Sequence, residues 1–259
     1  MIMKEKALLV ISFGTSYVQT RERTIGAIER KLAERFPDRD VRRAWTSSFI
    51  IKKVAKAEGL AIDTPENALQ KLADAGVTDV IVQPTHLSDG YENRRMLEIV
   101  RTFADRFERI AVGRPLLDTE EDRERVAQIM RTLCRDDEAL LLMGHGSEKH
   151  PVPVYEQLQD SLSYAGANNV FVGTVEGTPA FEDAKALLDR SGYKKITLAP
   201  LMIVAGDHAV NDLAGDTPDS WQKQLETEGY TTEVILAGLG EYEEIQDMFA
   251  EHAEHAEII

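Results

Sequence analysis

The run Met143-Gly144-His145-Gly146-Ser147 closes one apolar segment of this chain, and Val204-Ala205-Gly206-Asp207-His208 closes another. Each histidine stands where a predicted strand gives way to a glycine-flanked turn. Glu176, in Gly173-Thr174-Val175-Glu176-Gly177, holds the corresponding place after a third strand. Two imidazoles and one carboxylate make a mixed nitrogen and oxygen set for a divalent transition metal, with coordination positions left for water or substrate. A set with open positions suits reaction or transfer rather than structural stapling. The neighbouring glycines let the backbone approach a bulky ligand with no Cβ in the way. A single strand-end histidine is more often a hydrogen-bonded turn residue than a ligand; the favouring observation is that three such residues share one end of one predicted sheet.

Open α/β sheets bind ligands at the carboxyl ends of their strands, so the elements that must position these side chains are parallel strands. Strands are predicted near 7–12, 40–45, 79–84 and 109–112, then near 139–143, 170–175, 195–200 and 233–236, with helices alternating throughout. Helical stripes such as Ile25, Ile28, Leu32, Phe36 and Met96, Val100, Phe103, Phe107 read as core faces. Thr64-Pro65, Thr178-Pro179 and Thr217-Pro218 each read as an N-cap followed by the first helical residue, with Gly76, Gly192 and Gly229 ending the helices that follow. The expected fold class is α/β: two similar lobes, each a parallel four-stranded sheet flanked by helices, with a cleft between them. The join is expected near Asp136-Asp137-Glu138, giving an N-terminal lobe over 1–137 and a C-terminal lobe over 138–259, with the last helix returning to the first lobe. ALLVISFGTS at 7–16 echoes ALLLMGHGSE at 139–148, as in a diverged duplication. That echo sets His145 against Phe13 and Glu176 against Ser47, so the metal-type residues belong to the second half only, which argues for function over scaffold.

Composition narrows the classes. With 259 residues, 43% of them hydrophobic, the chain can bury a sizeable core. Its 30 basic and 45 acidic residues give a formal net charge of −15, which disfavours nucleic acid and anionic membranes as partners. Ala7-Leu8-Leu9-Val10-Ile11 is too short to span a bilayer and lacks a cleavage signal, so a cytoplasmic location is expected. The single cysteine, Cys134, allows neither an internal disulfide nor a thiolate cluster and reads as a half-buried helix residue. Neither a GxGxxG after the first strand nor a GxxxxGK[ST] is present, which disfavours a nucleotide-binding module.

Ser12 to Tyr17 (SFGTSY), Met143 to Ser147 (MGHGS), the Glu176 turn and Leu201 to Asp216 (LMIVAGDHAVNDLAGD) together closely resemble the anaerobic sirohydrochlorin cobaltochelatases of the CbiK type. The likeness extends over nearly the whole chain, through TPENALQKL and the late GLGE at Gly238 to Glu241. It implies a class II chelatase related in fold to ferrochelatase. The implied activity is ATP-independent insertion of Co2+ into sirohydrochlorin on the route to cobalamin, with two protons released. His145 and His208 are then the key histidines, and Glu176 completes the metal site. Co2+ is the substrate metal, no organic cofactor is expected, and the partners are the tetrapyrrole and a divalent ion, with room for a homo-oligomer. Insertion of iron or nickel, and a tetrapyrrole or metal carrier without turnover, stay open as alternatives. Stability order alone favours nickel or copper over cobalt at such a site.

The same chemistry assigns roles to neighbouring residues. A histidine near neutrality can be either base or ligand, so either imidazole could take the pyrrole protons; the favoured division has His208 and Glu176 hold the ion while His145 accepts protons. Asp207 and Asp212, with Asp216, are candidates to orient His208, although capping of helix starts accounts for them equally well. In the first lobe, Ser12, Thr15 and Ser16 form a turn whose following helix amides could receive substrate carboxylates, and His86 ends a strand at the same edge. Ordinary capping, and a satisfied histidine, are the competing readings. Arg94 and Arg95 read as a solvated helix face, His150 as an exposed turn residue, and His252 and His255 as part of a fraying end.

Overall fold

The computed structural model describes residues 5–259 and divides into two compact units. The first comprises the chain up to Leu116 together with Gly240–Ile259; the second is Leu117–Leu239.

In the first unit, strands β1 (Lys6–Ser12), β2 (Asp40–Trp45), β3 (Asp79–Pro84) and β4 (Arg109–Val112) lie in the order β2-β1-β3-β4, all parallel. Helices α1 (Val18–Arg23), α2 (Ile25–Arg35), α3 (Ser48–Glu58), α4 (Pro65–Asp74) and α5 (Tyr91–Arg101) alternate with them. β1 is buried at every residue from Ala7 to Ser12, as a central strand of a sheet covered on both faces must be. Its side chains pack with Leu69 and Leu72 of α4 and Met96 and Val100 of α5 in one apolar cluster, which Phe103 and Phe107 extend.

The second unit begins with α6 (Glu120–Arg131) and continues through β5 (Ala139–Gly146), α7 (Val154–Tyr164), β6 (Val170–Glu176), α8 (Phe181–Ser191), β7 (Lys195–Pro200), α9 (Trp221–Thr227) and β8 (Thr231–Val234). Its strands are parallel in the order β6-β5-β7-β8, the same winding as the first four strands of the other sheet. The chain then returns to the first unit with α10 (Glu243–Glu254) and β9 (Glu257–Ile258).

Several expectations are corrected here. The units divide at Leu116 and Leu239 rather than at 137, because α6 packs on α7 and so belongs with the second sheet. Asp136-Asp137-Glu138 is only the turn into β5. The first sheet has five strands, not four: β9 pairs antiparallel with β4, and two residues are too few to show a period. The end therefore does not fray. α10 packs on α2 through Lys31 to Glu243 and Asp247 at 3.2 and 2.9 Å, and buried His252 donates from Nδ1 to the Arg114 carbonyl at 3.3 Å. Of the three Thr-Pro pairs, only Thr64-Pro65 starts a helix, with the Thr64 hydroxyl accepting from the Asn67 amide at 3.3 Å. Pro179 lies in a cis peptide, and its carbonyl takes the Thr174 amide at 2.7 Å, so α8 begins two residues later. Ser220, not Thr217, caps α9.

Candidate functional site

β5 is buried from Ala139 through Gly144, and its next residue, His145, emerges exposed at the carboxyl end. β7 ends at Pro200, as the expected 195–200 strand does, so 204–208 is not a strand end. After Pro200 the Leu201 amide bonds the Met143 carbonyl at 2.7 Å, and an irregular stretch carries the chain to Asp207 and His208. His208 thus sits not at a strand end but at the start of a helical turn, with φ −62° and ψ −40°, leading into a single π-helical turn at Ala209–Leu213. Such wide turns recur at functional sites because they re-aim side chains along the helix.

The two imidazoles meet edge to face, their ring centroids 4.8 Å apart and their planes at 90°. Each has its Nδ1 engaged. His145 Nδ1 lies 2.8 Å from the Gly146 carbonyl, and His208 Nδ1 lies 2.5 Å from Asp212 Oδ2. A carbonyl and an ionised carboxylate only accept, so both Nδ1 atoms carry a hydrogen, and in the neutral form of each ring it is Nε2 that holds the lone pair. A pair of neighbouring nitrogen lone pairs can bind a divalent ion or take protons. Behind His208 stands a carboxylate, which favours the positive charge the ring gains in either event; behind His145 stands only a neutral peptide.

Glu176 is the last residue of β6, exposed, and its register partner on β5 is Gly146. Gly146 has φ +72°, and a Cβ there would strike the Glu176 carbonyl oxygen, so glycine is what lets the two strand ends close together. Among the described residues no group of three or more His, Cys, Asp or Glu side chains is gathered closely enough to hold an ion. The structure brings the His145 and His208 rings together, with Asp212 on His208 Nδ1, while Glu176 ends β6 opposite Gly146 with an exposed side chain.

A family model for cobalt chelatase (CbiK) matches residues 6–258. The chain belongs to this family. Among the relatives of this CbiK-family chain are the sirohydrochlorin cobaltochelatase of Salmonella typhimurium, 41% identical over 255 residues, covering 97% of this chain and 96% of the relative. Another is the sirohydrochlorin cobaltochelatase CbiKC of Nitratidesulfovibrio vulgaris, 32% identical over 256 residues, covering 96% and 90%. In fold, the chain is similar to the solved structure of SirB from Bacillus subtilis with Fe3+, with a TM-score of 0.67 at 15% identity, covering 96% of this chain and 94% of that one.

Of the remaining candidates of the CbiK-family chain, Ser12, Thr15, Ser16 and His86 lie in the first unit, and Asp207 and Cys134 in the second. Ser12 and Thr15 are buried: Thr85 donates to the Ser12 hydroxyl at 2.8 Å, and Thr15 Oγ1 accepts the Tyr17 amide at 3.2 Å. Ser16 is half-buried. The helix after this turn, α1, has only six residues, so its first-turn amides make a weak anion seat. His86 is buried, with Nδ1 3.2 Å from Asn93 Oδ1, while Asn93 donates to Asp89 at 3.0 Å. That chain makes Nδ1 the protonated nitrogen and leaves Nε2 buried without a partner. Burial pushes the His86 imidazole down from the ordinary histidine value, against the Asn93 hydrogen bond. Asp207 is exposed, and Arg94 pairs with Asp89 at 3.1 Å. Cys134 lies just past α6 rather than within it, and burial raises its thiol.

Sequence reasoning passes over one residue that shapes the site. Tyr155, in the first turn of α7, is buried under the His145 turn, and its hydroxyl oxygen accepts the Gly146 amide at 3.2 Å. Its ring lies against Gly144, where a Cβ would overlap ring carbons. The usable signal was the glycine before His145, which marks a close approach whose partner is unreadable from local pattern.

Proposed function

We infer that this protein inserts Co2+ into sirohydrochlorin, the metal replacing two pyrrole N–H protons, without nucleotide or organic cofactor. The carrying observation is the paired imidazoles, both presenting Nε2, on a chain 41% identical to a sirohydrochlorin cobaltochelatase. Insertion needs an incoming ion held weakly beside the macrocycle and a base for the departing protons. His208, held by Asp212, and His145 supply these two functions, and the exposed Glu176 side chain swings in as an oxygen ligand. Both relatives named above insert cobalt by name, which favours cobalt over iron or nickel. Among the described residues no helix is long and apolar enough to cross a membrane, in keeping with a cytoplasmic enzyme acting on small molecules. The surplus of acidic residues makes nucleic acid a poor partner.

The test is anaerobic absorbance of sirohydrochlorin with Co2+, comparing wild type, His145→Ala and His208→Ala. Wild type accelerates insertion, and each variant loses about 100-fold or more, as expected for loss of a proton-transfer group. Spectral shifts on binding with insertion at the uncatalysed rate would instead make the protein a tetrapyrrole carrier.

A further inference from the structure

His145 is exposed and sits on a turn whose central glycine has a left-handed backbone, so little in its own segment defines where the ring goes. The ring is tied to that same turn, because Nδ1 donates to the Gly146 carbonyl at 2.8 Å. Whatever fixes the backbone of Gly146 therefore holds the imidazole. Two contacts do so from below: the Tyr155 hydroxyl takes the Gly146 amide at 3.2 Å, and the Tyr155 ring fills the space that Gly144 leaves open. Tyr155 is itself fixed, since it lies in the first turn of α7 and is only 6% exposed.

We propose that Tyr155 is a positioning residue of the insertion reaction, its hydroxyl fixing the turn that sets the His145 ring against His208. The proposal rests on the chelatase reading for its catalytic consequence, but its structural content is independent of it. Gly146 is gripped on both sides of its Cα: the N–H of the peptide before it by Tyr155, and the C=O of the peptide after it by the His145 ring. Burial pushes the Tyr155 phenol up, against the amides of Gly146 and His145, which favour the phenolate. The hydroxyl accordingly stays protonated at neutral pH, and an oxygen lone pair serves the Gly146 amide. Removing the oxygen leaves that amide without its acceptor and lets the turn rotate, which carries the imidazole off His208. Because reacting groups must be held closely, such a displacement costs rate more than binding.

The deciding experiment is Tyr155→Phe, which keeps the ring that packs on Gly144, in wild-type and His145→Ala backgrounds. Two readouts are taken: cobalt insertion, and NMR cross-relaxation between the His145 and His208 rings with selective histidine labelling. The expected result is a kcat about tenfold lower with KM for sirohydrochlorin unchanged, no further fall in the His145→Ala background, and weakened cross-relaxation. Equal falls in both backgrounds, or undiminished cross-relaxation, would overturn the positioning role and reduce Tyr155 to a packing residue. Failure of the chelatase reading is separate: wild type would then not accelerate insertion, and the ring-to-ring signal alone decides the role of Tyr155.

Discussion

Substituting Asp212 isolates the contribution of the carboxylate behind His208. Its Oδ2 accepts from His208 Nδ1 at 2.5 Å across one helical turn, and the two side chains are 46% and 36% exposed. A hydrogen bond to a charged group is worth about 1.5–3 kcal/mol when well shielded. Exposure at this level lets water screen the pair, which brings the figure to roughly 1–2 kcal/mol. At about 1.4 kcal/mol per factor of ten, Asp212→Ala should slow insertion by roughly 5- to 30-fold. Asp212→Asn keeps an acceptor for Nδ1–H and so preserves the tautomer. It loses only the charge, about half the interaction, and should cost roughly 2- to 5-fold. Initial rates across a Co2+ titration under anaerobic conditions, with folding checked by circular dichroism, measure both. If Asp212→Ala turns over within twofold of wild type at every cobalt concentration, Asp212 does not prepare His208, and the tautomer argument for Nε2 falls with it.

Gly146→Ala should lower stability by about 1–2 kcal/mol from the left-handed backbone alone, and by more because the added Cβ meets the Glu176 carbonyl; urea unfolding reads the loss, and an unchanged midpoint would contradict the close approach of β5 and β6. His86 gives a pH signature. Its folded value is depressed, so below the unfolded value of about 6.5 the unfolded chain binds a proton that the folded protein does not. The associated stability is fully present above pH 6.5 and is lost as pH falls, by up to about 1.4 kcal/mol per unit until the folded value is passed. Unfolding midpoints between pH 8 and 5 should show this slope in wild type and lack it in His86→Gln; parallel curves would mean that His86 titrates alike in both states.

Much of the fold was readable because its determinants are local. All eight expected strands coincide with β1 to β8 to within a few residues, since most are apolar runs bounded by turn residues. The helical stripes at Ile25, Ile28, Leu32 and at Met96, Val100 are buried as a 3.6-residue period requires. β8 begins two residues earlier than expected because its register is set by pairing with β7, Lys195 against Thr231. The Thr178-Pro179 and Thr217-Pro218 misreadings share one cause: a Thr-Pro pair fits a turn as well as a helix start, and backbone partners elsewhere choose between them.

By itself the sequence determined that His145 stands at the carboxyl end of an α/β strand and that His208 follows a neighbouring strand of the same sheet, because strand runs and the glycines that end them are written in short-range pattern. It also sufficed for the family, whose motifs run the length of the chain. Only the tertiary structure decided that the imidazoles face one another, that Asp212 and the Gly146 carbonyl leave both Nε2 atoms bare, and that Tyr155 holds the turn from below. It likewise decided that α10 and β9 return to the first sheet while α6 joins the second. Apart from the His208–Asp212 pair, which the sequence offered as a candidate alongside helix capping, these are contacts between residues distant in sequence or between backbone and side chain. No periodicity encodes them, since the energy that selects each partner arises only when the packed elements bring it within reach.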